Sequence, residues 1–172
     1  MKKSKVLSIL FVVVLLAGLV VPTVAAKGNK PGDTIVEIAS SNGNFDTLVA
    51  AVSKAGLVDT LNGNRMFTVF APTDAAFDAA AGALGYTDGM DLVNSLDKAT
   101  LTEILLYHVA PGERFSGDVV TADRIRMMNK DFTYVDGLTI VGNGSSANLV
   151  PSLIDIDASN GVIHVIDFVL LP

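Results

Sequence analysis

The apolar residues fall into two rhythms, one in each half of the chain. Phe45, Leu48, Val49 and Val52 recur at i, i+3, i+4 and i+7, which predicts an amphipathic helix, with Asn44 as its cap and Gly56 ending it. A shorter helix is predicted before it, through Ile35, Val36 and Ile38, with Asp33 or Thr34 as cap. Leu57, Val58 and Leu61 continue briefly, and Asn62 to Asn64 turn into a strand. That strand carries Phe67, Val69 and Phe70 and stops at Pro72, which lacks the N–H a ladder needs. Thr73 and Asp74 then offer oxygens to cap a helix that runs through Phe77 and ends near Gly82 to Gly85. Residues 88–95 predict another helical turn. Leu101, Ile104, Leu105 and His108 share one face of a further helix, which leaves Tyr107 turned toward partial exposure.

After Pro111-Gly112 the pattern shortens to strands. Residues 133–140 predict a hairpin turning at Asp136-Gly137. Residues 147–150, 153–156 and 162–168 predict further strands, the last two separated by residues 157–161. Helices first and strands later, with an early strand that must pair with the late ones, predict a single α+β domain.

Residues 1–26 stand apart. Lys2, Lys3 and Lys5 precede an apolar run over 6–21, and Val24 and Ala26 occupy the small-residue positions before a cut. This is the pattern of a secretory signal peptide. Residues 27–33 follow as a polar linker, and the domain is expected over 34–172. A secreted, periplasmic or cell-surface location follows, with membrane contact only if the leader stays attached. The formal charge is −6; losing three lysines leaves nine basic residues against 18 acidic ones, a mature charge of −9. An excess of that sign disfavours nucleic acid as a partner. There are no cysteines, so neither disulfides nor thiol chemistry enters, and the core must suffice.

Candidate chemistry is thin. Asp155, Asp157 and Ser159 have the opening spacing of a calcium loop, but glycine comes one position late, at Gly161, and Ile166 stands where a glutamate belongs. His108 and His164 make no zinc set by themselves. Residues 142–146 lack the lysine of a phosphate loop, and no serine-hydrolase segment is present. No metal, cofactor or enzyme activity is expected. Asn143-Gly-Ser145 is a glycosylation sequon.

Three segments together carry a resemblance. Residues 67–77, with Phe67, Phe70, Pro72, Thr73, Asp74 and Phe77, resemble the first signature of the fasciclin-like (fasciclin I type) domain family. Residues 160–172, with Gly161 and His164, resemble its second, and Leu105 to Val109 resemble the Tyr-His segment between them. The resemblance implies a compact, twisted, wedge-like β-sandwich with helices packed around it. It also implies a non-enzymatic adhesion or interaction role, with a cell-surface or matrix protein or polysaccharide as partner. Two places assigned to adhesion in the family match Tyr107 and His108, and Asp155 and Ile156. A small-ligand carrier using an apolar cleft between helices and sheet is the alternative.

Overall fold

The structure, a computed structural model, describes residues 32–172; the expected leader and most of the linker lie outside the described residues. Three helices come first: α1 (Ile35–Ser41), α2 (Asp46–Ala55) and α3 (Val58–Leu61). Thr34 and Glu37 close a reciprocal capping box on α1. Gly56 ends α2 in the left-handed conformation, φ 72°. Strand β1 (Phe67–Pro72) leads into α4 (Asp74–Leu84), capped by Thr73. Helices α5 (Gly89–Ser95) and α6 (Lys98–Leu106) follow, capped by Asp88 and Asp97. The remainder is β2 (Val109–Pro111), α7 (Ser116–Val120), β3 (Arg124–Arg126), β4 (Phe132–Asp136), β5 (Thr139–Val141), β6 (Ser146–Asn148), β7 (Ile156–Ala158) and β8 (Gly161–Ile166).

The strands make two four-stranded sheets, ordered β2-β1-β8-β7 and β3-β4-β5-β6. Every pairing within them is antiparallel except the central β1–β8 pair, which runs parallel from Phe67↔Gly161 to Pro72↔Ile166. A bridge between Leu149 and Ile166 links the sheets. Because β1 and β8 are covered on both faces, all of their residues are buried, as expected for a parallel pair. Alternation along β1 sends Phe67 and Val69 toward the helices, into a core with Phe45, Phe77, Leu101 and Ile163. Phe70 faces the other way, into a second core between the sheets with Ile125, Ile140, Ile166 and Leu170. The architecture is therefore the expected α+β sandwich, with α1–α6 on one side and α7 packed against the second core.

Gly161 is required where it stands. Its φ is 148°, and a Cβ there would lie 1.9 Å from the Phe67 carbonyl oxygen. Asn160 beside it is wholly buried. Its amide donates to the carbonyls of Leu61 (2.5 Å) and Gly63 (3.4 Å), and its oxygen accepts from Ile35 N–H (2.9 Å). The turn before β8 thus ties down α1 and the end of α3.

Several expectations need correction. Asn44 does not cap α2. Phe45 occupies the cap position, and Asp74 from the start of α4 accepts from Asp46 N–H (3.3 Å) and Thr47 N–H (2.7 Å). Asp74 therefore serves α2 rather than its own helix. The strand expected over 153–156 is a 3-10 turn at Pro151–Leu153, and pairing begins only at Ile156. The hairpin loop is Gly137-Leu138, with Asp136↔Thr139 closing it and Gly137 at φ 60°. Strands β2 and β3 and helix α7 had no counterpart in the sequence reading.

Candidate functional site

Helix α6 ends at Leu106, so Tyr107 and His108 lie in the turn that leads into β2. The partial exposure expected of Tyr107 is not found: its side chain is 0 % exposed and sits in the core between the sheets. Its hydroxyl donates to the Phe132 carbonyl (3.0 Å) and accepts from Asn143 N–H (3.1 Å), fastening the second sheet to the turn. Burial raises its pKa, against the opposing bond from Asn143.

His108 is buried, as expected. Nε2 accepts from Leu170 N–H (2.9 Å), so the proton sits on Nδ1, which donates to the Ile104 carbonyl (2.8 Å). Both nitrogens are spent, and burial lowers the pKa to about 4 despite the Ile104 bond. As surface contacts, Tyr107 and His108 present nothing; their side chains brace the junction of helices and sheets.

The second candidate pair lies at the start of β7. Asp155 has φ 59°, an uncommon conformation for a residue with a side chain. Its carboxylate accepts from Ser116 N–H (2.6 Å) and Ser116 Oγ–H (2.5 Å). Helix α7, like α2, begins at a phenylalanine, Phe115, which offers no side-chain cap. Asp155 supplies the missing cap from 39 residues away. Burial pushes this carboxyl up, but the Ser116 bonds and nearby His164 outweigh it and hold it below its usual value. Ile156 is half-buried. With Phe45, Thr73, Leu153 and Val165 it lines an open cleft of about 280 Å³.

Ser116, Asp155 and His164 are the residue types of a hydrolase, gathered where the start of α7 meets the β7–β8 hairpin. Their bonding excludes that use. His164 Nδ1 accepts from Asp155 N–H (3.2 Å), and Nε2 therefore carries the proton and donates to the Arg114 carbonyl (2.8 Å). Neither nitrogen is left to receive a proton from Ser116, whose hydroxyl points to the carboxylate instead. Burial lowers the pKa of His164, opposed by the Arg114 carbonyl and Asp155. The two histidines thus hold opposite tautomers, each fixed by two backbone groups. Among the described residues, no three His, Asp or Glu side chains gather to hold a metal ion.

Helices α1, α2 and α3 form an apolar groove with β1 and the end of α6, lined by Ile35, Leu48, Val52, Leu61 and Val69 with the His108 ring. Its volume is about 40 Å³. Large apolar side chains stand on the outer surface instead. Leu153 lies beside the Asp155–Ile156 pair, and Tyr134, Leu138 and Val141 share the β4–β5 hairpin.

Two linked sheets with α1–α6 on one side, and histidines committed to the framework, define a small α+β domain of the fasciclin type. The fasciclin domain family model matches residues 43–172, and the chain belongs to that family. It is 43% identical to protein sll1483 of Synechocystis over 141 residues, which is 81% of this chain and 73% of that protein. It is 33% identical over 148 residues to cell surface glycolipoprotein MPB83 of Mycobacterium bovis, covering 81% of this chain and 61% of the other. The solved FAS1 domain pair of the insect cell adhesion molecule fasciclin I superposes with a TM-score of 0.68 at 21% identity. That likeness covers 81% of this chain and 51% of the insect one, and it concerns the fold alone. No described helix is long and apolar enough to cross a membrane.

Proposed function

We propose that this chain is an exported, non-enzymatic adhesion or interaction module that meets cell-surface or matrix partners through its outer faces. Family membership supports this, as does the likeness to a cell surface glycolipoprotein. One observation carries the reading: apolar side chains are displayed outside, while the apolar hollow is small. Leu153, Tyr134, Leu138 and Val141 are exposed, whereas the groove among the helices holds about 40 Å³. A cavity that accepts even benzene needs ~150 Å³, more than this groove holds; the cleft beside Ile156 is larger, about 280 Å³, but open to solvent. The Asp155–Ile156 region contributes through Ile156 and Leu153, with Asp155 holding the loop in place.

The experiment is retention of cells. Protein produced from the full chain, immobilised on beads, should hold cells of its source organism well above a charge-matched control. Absence of retention, together with a small molecule seen bound by native mass spectrometry, would overturn the reading in favour of a carrier.

A further inference from the structure

The outer face of the β3–β4–β5–β6 sheet has a composition unlike the rest of the surface. Ile125, Thr133, Ile140 and Ala147 point inward and are buried. Strand alternation therefore turns Arg124, Arg126, Phe132, Tyr134 and Val141 outward. Register sets them in rows: Arg124↔Tyr134↔Val141 across three strands, and Arg126↔Phe132 beside them. Successive rows stand ~7 Å apart. Tyr134 is 53% exposed, Val141 37%, and Leu138 at the hairpin tip 45%. The Arg124 guanidinium lies 4.6 Å from the Phe132 ring centroid, so the ring orients it and leaves its N–H edges open. Among the described residues, neither arginine has a carboxylate within ion-pair distance.

We propose that this face binds an acidic polysaccharide, with one uronic-acid carboxylate on Arg124 and Arg126 and a sugar ring lying on Tyr134 and Val141. This rests on the surface-interaction reading above and names the class of partner. Guanidinium forks pair with carboxylates in two parallel bonds, and an exposed tyrosine ring flanked by valine offers a flat apolar platform to the C–H face of a pyranose.

The size of the face favours an oligosaccharide over a folded protein. Four strands span ~15 Å across and ~10–17 Å along their length, roughly 150–250 Å², well short of the ~800 Å² a protein partner covers on each side. Asp123 precedes Arg124, Asp131 precedes Phe132, and Asp136 lies one row beyond Tyr134. These carboxylates repel a chain charged at every unit, such as a nucleic acid or a homopolymer of uronate. They admit one in which charged and neutral sugars alternate. The helical half adds to this selection, since residues 32–108 hold ten acidic side chains against three basic ones.

The test titrates protein made from the full chain with three probes: hyaluronan oligosaccharides, in which uronate alternates with a neutral sugar, polygalacturonate and dextran. Hyaluronan fragments should bind, more weakly as salt rises, with polygalacturonate weaker and dextran silent. Tyr134→Ala and the double variant Arg124→Gln, Arg126→Gln should each weaken binding at least tenfold while melting like the parent. Leu84→Ala, exposed on α4, should bind normally. Binding of dextran as tight as that of hyaluronan, no binding of any probe, or an unaffected double variant would each overturn the proposal. Cells retained by a protein that ignores all three glycans would sink this inference alone. Glycan binding without cell retention would sink the adhesion reading alone.

Discussion

Tyr107→Phe separates framework from contact with the smallest change. The ring stays, so packing between the sheets is preserved, and only the hydroxyl leaves. Its two partners are then deprived of a bond. Asn143 is exposed, and its N–H can turn to water. The Phe132 carbonyl, on a half-buried residue, has less access to a substitute. A buried polar group left unpaired costs about 1–3 kcal/mol, so we expect ~2 kcal/mol. For a domain of this size that lowers Tm by roughly 8 °C. Tyr107→Ala adds the loss of a packed ring and should cost about 3–5 kcal/mol. Thermal and urea melts by circular dichroism give the stability, and the cell-retention assay, run well below the transition, gives binding on the same preparations. Stability should fall and retention should persist. A Tyr107→Phe protein that melts within about a degree of the parent yet retains no cells would refute the reasoning, because the hydroxyl would then be touching the partner.

Asp74→Ala should cost about 1 kcal/mol, the worth of a helix cap, and the loss should appear in α2 rather than α4. Hydrogen exchange should show reduced protection near the start of α2, and an effect confined to α4 would contradict the bond pattern. Stability should also fall as the solution is acidified. The folded-state pKa of His108 is about 4, below the usual 6.5, so the unfolded chain takes up the proton first. Stabilisation is complete above about pH 6.5 and drains away toward pH 4, by ~2 kcal/mol between pH 7 and 5. His164, also lowered, acts in the same direction. Urea midpoints measured across that window should fall with pH, and a flat profile would show that His108 is not held neutral.

Local chemistry was readable where the signal and its target are neighbours. The α2 stripe, the β1–Pro72–α4 corner, the Gly56 stop and the β4–β5 hairpin each depend on residues within a few positions of one another. That β1 pairs with a late strand followed from needing a partner for a strand among helices, but neither β8 nor the parallel direction was legible. Strands β2 and β3 were illegible because three residues hold too little of a two-residue period to stand out. Tyr107 was misjudged because a helical phase was extended past Leu106, where the helix ends. The capping bonds of Asp74 and Asp155 reach 27 and 39 residues along the chain, and the pattern at Phe45 or Phe115 does not announce them. Asn160 was passed over as a turn residue, although a buried amide with three backbone partners is what joins that turn to α1 and α3. Among the candidate residues, the burial of His108 was legible and that of Tyr107 was not.

The parallel pair at the centre of the first sheet has a consequence for the order in which the domain is made. Strand β1 waits for β8 across roughly ninety residues of intervening chain, and closing so long a loop precedes any reward from the contacts it allows. During synthesis the early helices and β1 emerge first, with one flank of that strand unpaired until residues 161–166 arrive. Assembly is therefore late and concerted. The first sheet locks only when its last strand slides in beside the first.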